Sequence, residues 1–156
     1  MTRFLLVFAA SALMVANGVA AEQSLLARVT VYWRGESQAC ASWNGARLRN
    51  GHCAVDPKRI PYGSTVTIDG EELIAVDTGP SVVNRKAARL TGRTAAERNA
   101  IVVDRYFETK AQAAAWEKCH GHFLTVRVVP PAKKAPHLAE LNKAPISSDA
   151  LLVCQR

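Results

Sequence analysis

"HCAVDPKRIPYGSTVTIDGEELIAVDTGP", residues 52–80, is the stretch from which the rest of the chain is read. It carries two aspartates, Asp56 and Asp77, each placed where an apolar run stops at a turn containing Pro or Gly. Between them, "STVTI" (64–68) and "ELIAVD" (72–77) alternate apolar with polar positions and are rich in β-branched residues, the pattern of half-buried strands. Taken singly, an aspartate before Pro or in Asp-Thr-Gly is a turn residue whose side chain accepts hydrogen bonds from nearby amides. Whether these two do more depends on what lies on either side.

Outward from this stretch the same pattern recurs. "ARVTVYW" (27–33), "AIVVD" (100–104) and "FLTVRVV" (123–129) also read as short strands. Short strands separated by Gly and Pro turns point to a small barrel or sandwich. Two helices are expected to interrupt them. Thr94 with Glu97, and Thr109 with Gln112, match the capping box, in which each side chain satisfies the other residue's backbone N–H. The second is followed by "KAQAAAWEKC", dense in helix formers. "NRKAARLTGRTAAERN" (84–99) is basic and reads as a helical excursion or a long loop. Beyond residue 129, "PPAKKAPHLAELNKAP" reads as an exposed linker, after which "ALLVC" returns to the body through Cys154.

The start of the chain has the pattern of a secretory signal: Arg3, an apolar run over 4–16, and small residues before a polar stretch. Cleavage is expected after Ala20 or Ala21. The run is shorter than the roughly 20 residues of a membrane-spanning helix, so no stable membrane insertion is expected after cleavage. The expected organisation is a signal peptide at 1–21, one barrel domain at 27–129 and a C-terminal tail at 130–156 within a chain of 156 residues. An exported protein, periplasmic or extracellular, meets an oxidising compartment. The four cysteines then suggest two disulfides, Cys40 with Cys53 across a short hairpin and Cys119 with Cys154 fastening the tail. "CHGH" (119–122) and His52 beside Cys53 lack the paired spacings of a structural zinc site, so no metal and no cofactor are expected.

The formal charge is +7, and +6 once Arg3 leaves with the signal. That balance suits a polyanionic partner. The basic residues are scattered rather than striped with aromatics, which argues against nucleic acid and for a cell wall with free carboxylates.

A third aspartate completes the pattern. Asp104 follows four apolar residues and precedes "RYFETK". Such surroundings desolvate a carboxyl and raise its pKa, as a general acid requires. Each of Asp56, Asp77 and Asp104 ends an apolar run, where a side chain reaches a cleft while its backbone stays rigid.

With these residues on view, the chain resembles the 3D domain, named for three aspartates and shared with the catalytic region of membrane-bound lytic transglycosylase A. The resemblance covers about 29–129 and rests on "GHCAVDPKRIPYGSTVTIDG", "AVDTG" and "VVDRYFETKAQAAAWEKCHGHFLTVRVV". It implies a mainly β fold, a six-stranded double-psi β-barrel with one or two short helices. It also implies cleavage of peptidoglycan glycan strands between N-acetylmuramic acid and N-acetylglucosamine, leaving 1,6-anhydro ends. By position, Asp104 matches the acid and base and Asp77 its close partner. Asp56 organises its own loop, with Thr78 and Gly79 as supporting neighbours.

The chain departs from the family pattern after Asp77. Pro80 stands where the family has a second glycine, and Asp104 lies 27 positions beyond Asp77, so a long insertion adjoins the expected cleft. Lys86 and Arg85 are candidates to replace the family's lysine in holding substrate, alongside Tyr62. The same barrel occurs in expansin-like and rare lipoprotein A-like proteins. On that alternative, Trp33, Trp43 and Tyr62 form a glycan-binding surface without catalysis.

Overall fold

A computed structural model describes residues 21–132; the expected signal peptide, apart from its last residue, and the tail beyond residue 132 lie outside the described residues. Six strands close into one barrel, with ten elements in the order β1 (Gln23–Trp33), β2 (His52–Ala54), β3 (Thr65–Ile68), β4 (Glu71–Asp77), α1 (Pro80–Val83), α2 (Lys86–Thr91), α3 (Ala95–Asn99), β5 (Ile101–Phe107), α4 (Lys110–Cys119) and β6 (Phe123–Val129). Around the barrel the strands run β1-β5-β2-β4-β3-β6, and β6 pairs with β1 to close it. The pairs β1–β5 and β2–β4 are parallel; the others are antiparallel. The described residues include no helix long and apolar enough to cross a membrane.

Local chemistry explains most of these elements. In β1, alternation sends Ala27 and Val29 into the barrel and leaves Arg28, Thr30 and Tyr32 on the outer face. The β3–β4 hairpin turns on two residues, Asp69 and Gly70, both with positive φ (48° and 85°). A tight turn of that hand matches strand twist, and Asp-Gly suits it because Gly has no Cβ to clash. Both expected capping boxes form, Thr94–Glu97 on α3 and Thr109–Gln112 on α4.

Two apolar clusters result. The interior is filled by Val29, Val66, Ile68, Leu73, Val103 and Val126 among others, each 2 % exposed or less. Helix α4 closes one end through Ala113 and Trp116, and Arg105 lies over the Trp116 and Phe107 rings while pairing with Glu71. The second cluster lies outside the barrel wall, where Val82 and Ala88 of the insertion pack on Tyr32, Ala54, Val76, Val102 and Tyr106.

The structure corrects three expectations. The insertion forms three short helices, α1 to α3, so the domain has four helices where one or two were expected. Strand β2 was not anticipated, because three residues show no period of two; it exists through pairing with β4 and β5 on its two sides. The third correction concerns the cysteines, for Cys53 and Cys119 are both free thiols. Strand alternation buries Cys53 completely inside the barrel, whereas Cys40 lines a cavity outside it, so the two cannot meet. Burial above all raises the Cys53 thiol's pKa and keeps it protonated. Cys119 is exposed and unbonded, so the pairing with Cys154 fails as well. Cys40 is disulfide-bonded, but to neither of these, and Cys154 lies outside the described residues. The expected 40–53 hairpin is reduced to a single antiparallel bridge between Cys40 and Arg47.

Candidate active site

Strand register brings the second and third aspartates together. Thr30 of β1 pairs with Asp104 of β5, Asp104 pairs with Ala54 of β2, and Ala54 pairs with Asp77 of β4. Residues directly opposite in a ladder share a face, so Thr30, Asp104, Ala54 and Asp77 form one row across four strands. The backbones of Asp77 and Asp104 are two strand spacings apart, roughly 10 Å, and Ala54 between them is small enough to leave the space open.

Asp77 reaches this face through an irregularity. Cys53 pairs with Ala75, yet the next residue, Ala54, pairs with Asp77, so the register slips by one and Val76 is extra. Strict alternation from Leu73 and Ala75, both interior residues, would have turned Asp77 into the barrel. The slip turns it outward. Re-aiming a side chain is what a bulge does.

Both carboxyls line one open cavity of about 390 Å³, together with Tyr32, Glu36, Ser42 and the 78–82 segment. Asp77 is 8 % exposed and accepts three hydrogen bonds, from the Ser42 amide (3.0 Å), the Ser42 hydroxyl (2.5 Å) and the Tyr32 hydroxyl (3.1 Å). A carboxylate is an acceptor only, and three converging donors hold it in one orientation. Burial, reinforced by Asp77, raises the Tyr32 pKa, so its phenol stays a donor.

Asp104 is treated differently. Among the described residues its carboxyl accepts one hydrogen bond, from the Thr30 hydroxyl at 2.8 Å. Burial raises its pKa to about 6, against the opposing pull of the Thr30 bond, and the negative charges of Glu36, Asp77 and Glu117 add to the rise. Two carboxyls in one cavity with divergent environments are the usual basis for dividing acid from stabiliser.

The remaining expected residues separate into two groups. Thr78 and Gly79 line the cavity; the Thr78 hydroxyl is buried without a partner, and Gly79 sits at the N-terminus of α1. Asp56 lies outside the cavity lining. Its side chain accepts from the Lys58 amide (3.1 Å) and its carbonyl from the Arg59 and Ile60 amides, a turn-forming role. Arg85 donates to the Asn99 carbonyl at 2.8 Å and is absent from the cavity lining, and Tyr62 stacks on Trp43 away from it. Lys86 lines a neighbouring surface cavity that shares only Pro80 and Ser81 with the aspartate site. No three His, Cys, Asp or Glu side chains come together as metal ligands among the described residues.

Thr30, Tyr32, Ser42 and Glu36 were not singled out from the sequence. Thr30 and Tyr32 had a signal, being the polar positions of an alternating strand, and therefore outward together. Ser42 had none, because only the fold brings its loop to Asp77. No protein-family model matches the chain, and no curated protein is significantly similar to it in sequence.

Proposed function

We propose that the chain is a peptidoglycan lytic transglycosylase built on a double-psi β-barrel, with Asp104 as the single acid and base. The observation that carries this is the placement of a desolvated Asp104 carboxyl beside Asp77 in one open cavity. Two parallel pairs, β1–β5 and β2–β4, within a closed six-stranded barrel support the double-psi reading.

The chemistry needs one proton moved twice. Protonated Asp104 gives its proton to the oxygen linking N-acetylmuramic acid to N-acetylglucosamine. The C1–O bond breaks with its electrons going to that oxygen, and C1 becomes oxocarbenium-like. The muramic C6 hydroxyl then attacks C1, and its proton returns to the Asp104 carboxylate. Atoms balance without water, and the enzyme ends as it began. Since the nucleophile belongs to the sugar, no second carboxylate is needed at the nucleophile position of retaining glycosidases. Asp77 raises the proton affinity of Asp104 and, by its negative charge, favours the cationic sugar. Thr30 orients the Asp104 carboxyl. Pro80, Ser81 and Val82 form part of the wall of the cavity that holds the pair.

Digestion of purified peptidoglycan, with mass spectrometry of the products, tests the reading. Products with 1,6-anhydromuramic ends that disappear for Asp104→Asn are expected. Reducing ends would identify a hydrolase, and binding without soluble products would identify a polysaccharide-binding barrel.

A further inference from the structure

A second cavity, of about 540 Å³, includes Trp43, Arg47, Arg49, His52 and Glu108 in its lining. It is joined to the aspartate site through the backbone at three points. Ser42, which holds Asp77, directly precedes Trp43. The Trp43 amide donates to the carbonyl of Val76, the extra residue of the register slip, at 3.0 Å. His52 lies two residues before Ala54 on β2, roughly 7 Å along the strand from the aspartate row.

The chemistry of this cavity is distinct from that of its neighbour. Trp43 is 48 % exposed, although its indole is stacked on the Tyr62 ring at 6.1 Å and 17°, so a flat apolar surface is presented in a fixed orientation. Arg47 and Arg49 are exposed, and neither forms a salt bridge among the described residues. The one acid of the lining, Glu108, is within 3.5 Å of the Tyr106 hydroxyl, from which it accepts. His52 is 8 % exposed, and its Nδ1 is buried without a partner. Burial first, then Arg49, lowers its pKa, so the imidazole is a neutral donor or acceptor and not a third cation.

We propose that this cavity is a second glycan subsite, which takes a sugar bearing a carboxylated substituent, the ring against Trp43 and the carboxylate on Arg47 and Arg49. The inference rests on the peptidoglycan reading of the aspartate cavity, because in that polymer the stem peptides carry the carboxylates. A guanidinium presents a fork of donors that matches a carboxylate, and two such forks without a salt-bridge partner among the described residues are disposed to take one from a ligand. The subsite would therefore select strands that still carry peptide over bare glycan.

Calorimetric titration of the full chain tests this in the Asp104→Asn background, where the ligand is not consumed. The probes are N-acetylglucosaminyl-N-acetylmuramyl-tetrapeptide and neutral chitotetraose. Arg47→Ser with Arg49→Ser is expected to weaken muropeptide binding by about tenfold and to leave chitotetraose unchanged, the loss appropriate to a charged hydrogen-bonded contact. Trp43→Ala is expected to weaken both. Unchanged muropeptide affinity in the arginine double variant, an equal loss for both probes, or no muropeptide binding in the Asp104→Asn background would overturn the subsite. Both arginines are exposed, so the double variant tests binding without threatening the fold. Failure of the wild-type chain to release anhydro products would instead strike the catalytic reading, whatever the titrations show.

Discussion

The barrel interior and the outer face that carries Asp77 and Asp104 are made from the same strands, by alternation and, at Asp77, by the register slip, yet they treat carboxyls differently. Inside, Val29, Val66, Leu73 and Val103 leave no carboxyl to satisfy, and Arg105 at one end is paired with Glu71, although one of its guanidinium nitrogens and the Trp116 Nε1 are buried without hydrogen-bond partners. Outside, Asp104 is desolvated, with one hydrogen bond to its carboxyl and no ion pair among the described residues, while the Thr78 and Ser37 hydroxyls of the same cavity are buried without partners. Consecutive residues of β5, Val103 and Asp104, belong to the two regions. The interior is packed for stability, whereas the outer face keeps a carboxyl whose burial costs stability.

The sharpest break of that contrast comes from one substitution on each side. Asp104→Asn is expected to lower the rate of anhydro-product release by about 10²- to 10⁴-fold, the range for loss of a general acid, while the chain remains folded. Leu73→Ala, by contrast, is expected to cost about 2–5 kcal/mol of stability through the cavity it leaves, read from urea unfolding midpoints. Its effect on activity should follow the folded fraction alone.

The same Asp104→Asn variant is expected to be more stable than the wild type near pH 8. The folded-state pKa of Asp104, about 6, lies above the ordinary carboxylate value of 3.8, so the folded protein binds that proton more tightly than the unfolded chain. Stability from this group is therefore present below pH 4 and is lost as pH rises through 6. Removing the ionisable group recovers on the order of 1–3 kcal/mol above that range, measurable as a difference in unfolding midpoints at pH 4 and pH 8. A variant destabilised at both pH values would contradict the assignment of a burial cost to Asp104.

A finer distinction lies within the outer face. Activity should fall as pH rises through about 6, where Asp104 loses its proton. Asp77→Asn removes a negative neighbour and is expected to move this limb to lower pH. Thr30→Val removes the hydrogen bond that favours the ionised form and is expected to move it to higher pH. Limbs that shift in the same direction for both would contradict the assigned role of the residue whose shift runs against its predicted sign. The smallest effect is expected at the first aspartate. Asp56→Asn keeps the oxygen that accepts from the Lys58 amide, so stability should stay within about 0.5 kcal/mol and activity near wild type.

Much of this was legible in the residues. Five of the six strands announced themselves by alternation, because one face of each packs on an apolar interior. The two capping boxes were readable because their partners are three residues apart. The desolvation of Asp104 followed from the apolar run before it, and the turn role of Asp56 from the proline after it. Strand β2 was hidden because three residues carry no period, and its pairing depends on neighbours about 20 and 50 positions away. The cysteine pairing failed for a related reason: an even count says nothing of which side of a barrel wall each thiol occupies.

Sequence alone determined what is local: turn chemistry, helix starts, the faces of long strands and the carboxyls available for acid chemistry. Tertiary structure alone decided which of them meet. The one-residue slip between β2 and β4 turns Asp77 out of the barrel, and the register of four strands places it in a row with Asp104 and Thr30. The physical reason is that side-chain direction alternates with every residue. A slip of one, set by pairing with a distant strand, decides whether a carboxyl faces the core or the cleft.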